Sequence, residues 1–125
     1  MFLVFAYNGA SLMGCWLKGT VIYPSPGFNA EAAIRSGAAR KATMLLGTPT
    51  MFIDIIGSKI RKEHDLTSLK YAVLSGAPVS PSLAKAAKED LGTSICVGYG
   101  ATETTGGTFL TPFGTSDDIL LNTVG

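Results

Sequence analysis

The ten residues Thr43-Met44-Leu45-Leu46-Gly47-Thr48-Pro49-Thr50-Met51-Phe52 decide the fold. A short apolar run closed by Gly47 predicts a buried strand over Thr43 to Leu46. Thr48 then offers an N-cap, and Pro49 falls at the first helical position, where its missing N–H costs nothing. Phe52, Ile53, Ile56 and Ile60 follow at three- and four-residue spacing, which predicts a helix. The same device recurs downstream. Tyr71-Ala72-Val73-Leu74 reads as a strand, and Ser80-Pro81 as cap plus proline. Leu83, Ala84, Ala87 and Leu91 make an apolar stripe, Gly92 a helix stop, and Ser94-Ile95-Cys96-Val97 another strand. Upstream, Thr20-Val21-Ile22-Tyr23 reads as a strand halted by Pro24 and Pro26. Asn29 caps a predicted helix from Ala30 to Lys41, with Ala33, Ile34 and Ala38 on one stripe. Strands alternating with helices predict an α/β fold: right-handed crossovers and a parallel sheet with helices on both faces.

The 125 residues allow at most one domain, or a piece of one. Ten basic residues against nine acidic ones give a net charge of +1, and 46% of the chain is hydrophobic. That balance excludes a disordered tail and leaves no basic excess for a row of phosphates, so no nucleic acid is expected as a partner. Cys15 and Cys96 belong to no metal-ligand spacing, and two buried reduced thiols are expected. His64, in the charged run Lys59 to Asp65, reads as a solvated loop residue. Met1 to Leu17 carry no charge, yet lack the basic start of a signal peptide and are interrupted by Asn8, Gly9 and Ser11. The stretch is too short and polar for a clear membrane span; a buried helix of a larger fold is preferred.

In open parallel sheets, ligands bind beyond the carboxyl ends of the strands. Three loops are predicted there: Gly47-Thr48-Pro49-Thr50, Ser75-Gly76-Ala77-Pro78, and Gly98-Tyr99-Gly100-Ala101-Thr102-Glu103-Thr104-Thr105. From Leu91 to Ser116 the chain carries 7 Thr, 6 Gly and a single charge, Glu103. A lone carboxylate among hydroxyls suits a hard cation such as Mg2+, which takes oxygen ligands and often bridges to phosphate. Thr102 offers a hydroxyl to a phosphate oxygen, Gly98 and Gly100 permit close backbone approach, and Tyr99 offers a flat face to a base. The plainer reading stays open beside this one: a glycine turn after a strand, with Glu103 capping a helix or facing water. No Walker-type GxxxxGK[ST] motif or GxSxG elbow is present.

Four motifs in order then resemble one family. Tyr99-Gly100-Ala101-Thr102-Glu103-Thr104 is similar to the YGxTE signature of AMP-forming acyl-CoA synthetases and related adenylating enzymes. Ser75-Gly76-Ala77-Pro78-Val79-Ser80 resembles their SGAPLS segment, Gly47-Thr48-Pro49-Thr50-Met51-Phe52 their G-x-PT-M/L stretch, and Asp65-Leu66-Thr67-Ser68-Leu69-Lys70 their DLSSL turn. Pro24-Ser25-Pro26-Gly27-Phe28-Asn29 looks most like the medium-chain branch. The resemblance runs from about Gly19 to Gly125.

It implies a fatty acid–CoA ligase in which a carboxylate attacks the α-phosphorus of ATP and CoA thiol then displaces AMP. ATP, Mg2+ and CoA are the implied cofactors, and fatty acid, ATP and CoA the implied small-molecule partners. By the resemblance Thr102 holds the α-phosphate and Glu103 the magnesium. Tyr99 and Gly100 approach the nucleotide, and Gly76, Ala77 and Pro78 line the far side of adenine. Thr48, Gly98 and Ala101 border the acyl channel. The family's phosphate loop with its lysine has no counterpart here, and Asn122-Thr123-Val124-Gly125 resembles only the start of the GSVG-R-P segment. Residues 1–125 are therefore expected to be an internal fragment of an adenylation domain, lacking the C-terminal domain and inactive alone. An intracellular setting, mitochondrial or cytoplasmic, follows by family. Two alternatives remain: a truncated nucleotide-binding or interaction module without turnover, and an unrelated small flavodoxin-like domain. In-frame flanking sequence encoding a phosphate loop and a TGD motif separates the first reading from the second.

Overall fold

The structure, a computed structural model, describes residues 4–124. Met1–Leu3 of the apolar start and the terminal Gly125 lie outside the described residues. Helix α1 (Ala30–Ala39) begins where Asn29 Oδ1 accepts the N–H of Ala32 at 2.8 Å. It ends two residues before the expected Lys41, because Lys41 turns left-handed at φ 51° and Ala42 N–H closes onto the Gly37 carbonyl. Strand β1 (Met44–Gly47) leads into α2 (Pro49–Gly57), with proline in its first turn. Thr48 holds the N-cap backbone position, but its side chain makes no cap hydrogen bond. A 3-10 turn at Lys59–Glu63 then leads to β2 (Tyr71–Leu74). Helix α3 (Pro81–Leu91) is capped by the Ser80 hydroxyl and stopped by Gly92 at φ 62°. Strand β3 (Ser94–Ala101), a hairpin turn, β4 (Gly106–Leu110) and the short α4 (Asp117–Asn122) complete the chain.

Strands β1, β2 and β3 pair in parallel, in that order, and β4 adds antiparallel to β3. The parallel α/β sheet was legible in the sequence; the antiparallel fourth strand was not. On one sheet face Ala72, Leu74, Ile95 and Val97 meet Ile34, Phe52, Ile55, Ala87, Leu91 and Leu120 from α1, α2, α3 and α4. Removing this apolar surface from water supplies the main stabilising term, roughly 25 cal/mol per Å². Of the expected stripe, Phe52 is buried and Ile56 and Ile60 pack against the core, but Ile53 is 56% exposed and Ile55 is buried in its stead. On the opposite face Met44 and Tyr71, paired across β1 and β2, stay partly exposed, and Tyr71 leans its ring on Phe113 at 4.7 Å.

Residues 4–16 are helical, with Tyr7–Leu12 wound wide as a π-helix. They supply cover on that second face, where Leu46 stands within van der Waals reach of Gly9. The segment is a helix but not a buried one, for Trp16 and Leu17 are 79% and 71% exposed. Cys15, on the same segment, is exposed too, so only Cys96 is a buried thiol; burial pushes its pKa up. Thr20–Tyr23 form no strand. Val21 instead packs where a side chain at Gly14 would stand, and Tyr23 OH meets Ser11 Oγ at 2.7 Å. No strand lies beside them among the described residues, so their β-branched run has no ladder to join. His64 is half-buried rather than solvated, its Nδ1 3.1 Å from the Ile60 carbonyl.

The turn before β2 is held by Asp65, whose carboxylate accepts the Thr67 N–H at 2.9 Å and the Thr67 hydroxyl at 2.7 Å. Leu66 and Leu69 enter the core on either side. Arg61 crosses to α3, donating from its guanidinium to the Asp90 carbonyl at 2.6 Å and lying 3.0 Å from the Asp90 carboxylate.

Two outcomes follow. At Gly100 a side chain would collide with the Gly106 carbonyl, whereas Gly27 has open space. Gly100→Ala is expected to lower unfolding free energy by at least about 1–3 kcal/mol, with Gly27→Ala near neutral in the same urea titration. The Thr67 backbone N–H, then its hydroxyl, hold the Asp65 carboxyl below its ordinary pKa. A depressed folded pKa means the stabilisation is present above the unfolded value and is lost as pH falls through the folded one. Thr67→Ala should raise the Asp65 pKa part way, since the backbone donor remains. Carboxyl-carbon NMR titration reads this directly, and an unmoved titration would exclude the hydroxyl's contribution.

Candidate functional site

Register builds the rim. Gly47 pairs with Leu74 and Leu74 with Val97, so β1 and β2 end level beside Val97, and β3 runs on past them to Ala101. Across that edge Ser75 N–H donates to the Gly47 carbonyl at 3.2 Å, and Ser75 Oγ lies 3.4 Å from where a Cβ on Gly98 would stand. Thr48, the Ser75-Gly76-Ala77-Pro78 loop and Gly98 therefore gather at one edge, as the strand order requires. Gly76 makes its turn at φ 89°, and Gly76, Ala77 and Pro78 are exposed.

The first half of the third expected loop is strand. Gly98, Tyr99, Gly100 and Ala101 continue β3 and pair with β4, with an irregularity between Tyr99 and Gly100. The physical reason is steric. Gly100 has no side chain, and the Gly106 carbonyl oxygen lies 1.6 Å from the position its Cβ would take. Any other residue would hold the two backbones apart. The space beside Gly98 is likewise filled, with Leu110 Cδ2 only 2.6 Å from where its Cβ would stand. Their smallness admits a neighbouring strand, not open volume.

Thr102–Thr104 form a single 3-10 turn at the hairpin tip, and Thr102 and Glu103 are exposed there. Among the described residues neither side chain makes a hydrogen bond or ion pair, and none joins Glu103 to the Ser75–Pro78 loop. Thr104 is the tie that sequence reasoning missed. Its hydroxyl takes the Ala101 N–H at 3.1 Å, reaches the Ala101 carbonyl at 3.0 Å, and receives the Thr108 hydroxyl at 2.8 Å. Thr105 follows in the left-handed region at φ 63°, a strain of about 1–3 kcal/mol for a β-branched residue. The Thr105 carbonyl accepts from the Asn8 side-chain amide. At the base of the hairpin, buried Thr111 Oγ1 accepts the Val97 N–H at 2.8 Å. Threonine abundance was the available signal for both ties, but nothing in sequence says which hydroxyl points inward.

Tyr99 is 53% exposed and tilts against Phe109, its partner in β4, with ring centroids 6.3 Å apart. Phe109 enlarges the flat apolar surface the sequence assigns to Tyr99 alone. No described group of three or more His, Cys, Asp or Glu forms a metal cluster. Glu103 with the Thr102 hydroxyl is instead an oxygen-only donor set with one accessible carboxylate. Such a set fits a magnesium ion that keeps waters and takes its other ligands from phosphate. A cleft of about 260 Å³ lies between α3 and α4, lined by Lys85, Lys88, Glu89, Asp117, Leu120 and Leu121, and includes none of the rim residues. No described helix is long and apolar enough to cross a membrane.

Comparison with known proteins agrees with this geometry. The chain is similar to the mitochondrial medium-chain acyl-CoA ligase ACSF2 of Mus musculus, 33% identical over 82% of this chain and 17% of the relative. It is 32% identical to the acyl-CoA ligase cnsG of Penicillium expansum over 98% of this chain and 25% of that protein. It thus spans a quarter or less of the length of these relatives. Among solved structures, the anthranilate CoA ligase AuaEII in complex with anthranoyl-AMP superposes with a TM-score of 0.83 at 24% identity. That match covers 92% of this chain and 22% of the ligase. A benzoate CoA ligase from Burkholderia xenovorans LB400 gives 0.81 at 15% identity, over 92% and 24%. These two likenesses establish the fold. The family described as AMP-binding enzyme matches residues 1–125, and the chain belongs to it.

Proposed function

We propose that residues 1–125 form part of the adenylation domain of a fatty acid–CoA ligase. One observation carries the reading. The parallel register brings Thr48, the Ser75–Pro78 loop and Gly98 to one sheet edge, from which β3 extends to the hairpin tip that carries Glu103; α/β sheets bind ligands at such edges. In the reaction a fatty acid carboxylate oxygen attacks the α-phosphorus of ATP and pyrophosphate leaves with its bonding electrons. The CoA sulfur then attacks the acyl carbon and AMP departs, leaving the thioester. An anionic carboxylate meets an anionic phosphate, so fixed donors and counter-charge lower the barrier most.

Here the Thr102 hydroxyl donates to an α-phosphate oxygen, and Glu103 holds Mg2+, which would supply counter-charge to the phosphates. Tyr99, widened by Phe109, packs on adenine, with Gly76, Ala77 and Pro78 on its other side and the Gly100 backbone close by. Thr48, Gly98 and Ala101 border the acyl channel. Leu110 stands over Gly98, and it is 54% exposed; a change of its rotamer admits an alkyl chain there. ATP, Mg2+ and CoA are the cofactors, fatty acid the substrate, and an intracellular compartment the setting, as the mitochondrial relatives suggest. A chain with one rim carboxylate and a quarter or less of its relatives' length is expected to show no turnover alone.

In a ligase of the relatives' length carrying this segment, Glu103→Gln should slow pyrophosphate release with fatty acid and ATP roughly 100- to 1,000-fold, with an unchanged melting temperature. Unchanged release would remove Glu103 from the site. Thr104→Val leaves that carboxylate in place but unties its turn; faster hydrogen exchange at Ala101 and a smaller loss, on the order of tenfold, are expected. An exchange rate equal to wild type would dismiss Thr104 as the tie.

A further inference from the structure

The turn that presents Glu103 is anchored from two sides, and only one anchor is local. Thr104 ties it from within the hairpin, through Ala101 and Thr108. From outside, the Asn8 side-chain amide, 97 positions away in sequence, donates to the carbonyl of Thr105. That carbonyl belongs to the left-handed residue, φ 63°, at which the chain reverses into Gly106 at φ 108°. Asn8 Nδ2, Phe5 Cα and Val4 Cγ1 all stand 3.5–3.6 Å from where a Cβ on Gly106 would project. The N-terminal helical segment therefore seats on the reversal itself. A left-handed threonine persists only where its surroundings over-determine it. Asn8 is half-buried and lies in the widened winding of Tyr7–Leu12.

We propose that Asn8 is a positioning residue for adenylate formation: by fixing the Thr105 carbonyl it sets the orientation of Glu103 two residues earlier. It touches no reacting atom. Its amide restrains the turn so that the carboxylate needs no reordering when the metal and phosphates arrive. The inference rests on the adenylating reading above and adds to it a residue outside every motif the sequence singles out.

The test compares Asn8→Ala, Asn8→Asp and Glu103→Gln in a ligase of the relatives' length carrying this segment. The aspartate keeps the shape of asparagine but offers a carboxylate, not a donor, to the carbonyl. For both Asn8 variants we expect kcat for acyl-adenylate formation to fall roughly 10- to 100-fold. KM for ATP should stay within about twofold. Amide exchange should quicken at Thr105 and Gly106 but not in β1 or β2. Wild-type kcat in the Asn8 variants, with Glu103→Gln impaired, overturns the role of Asn8 and leaves the site reading intact. Wild-type kcat in all three overturns both. Raised KM with kcat intact, or loss of exchange protection throughout the chain in both Asn8 variants, also overturns a local positioning role.

Discussion

Two backbones in contact without side chains between them set the form of this molecule's sheet edge. At Gly100 the neighbouring strand comes so near that its Gly106 carbonyl takes the place of a β-carbon. Strand β3 can therefore continue past the level where β1 and β2 stop, and turn back on itself as β4. Everything at the rim inherits that geometry. Tyr99 gains an aromatic neighbour, Glu103 is carried to a hairpin tip, and the space beside Gly98 fills with Leu110.

Two kinds of force divide the work. Apolar burial on one face of the sheet aligns β1, β2 and β3, because a slip of one residue would turn Ala72, Leu74, Ile95 and Val97 away from the helices. Beyond that level the chain has almost no charge and few apolar anchors, and hydroxyls take over. Thr111 satisfies the buried Val97 N–H, and Thr104 closes the tip. Net hydrogen-bond contributions are small, about 0.5–1.5 kcal/mol each, but an orphaned buried N–H costs more. Such ties select one shape more than they add stability. The result is a firm scaffold ending in a restrained turn with an unpaired acid at its tip.

The parts that could be read in the sequence were those where local chemistry and burial agree. Asn29, Ser80-Pro81 and Gly92 mark helix ends whose capping partners lie within four residues, so no tertiary knowledge was needed. The gathering of Thr48, Ser75–Pro78 and Gly98 at one edge followed from strand–helix alternation and crossover handedness. Long-range pairing was hidden. Thr20–Tyr23 has strand composition yet packs on the N-terminal helix, and Gly98–Ala101, loop-like in composition, is strand because β4 leans on it. Asn8 and Thr104 carry no sequence mark that separates them from any asparagine or threonine. The family motifs named residues at the rim, but not what holds the rim in shape.

On the proposed function, the hairpin-tip carboxylate binds the metal that accompanies a nucleotide. The most direct measurement is an anomalous-scattering map of a ligase carrying this segment, crystallised with Mn2+ and a non-hydrolysable ATP analogue. The account predicts a manganese peak in direct contact with a Glu103 carboxylate oxygen and bridging to the phosphates. A peak held by other residues, with the Glu103 side chain turned to solvent, would contradict it.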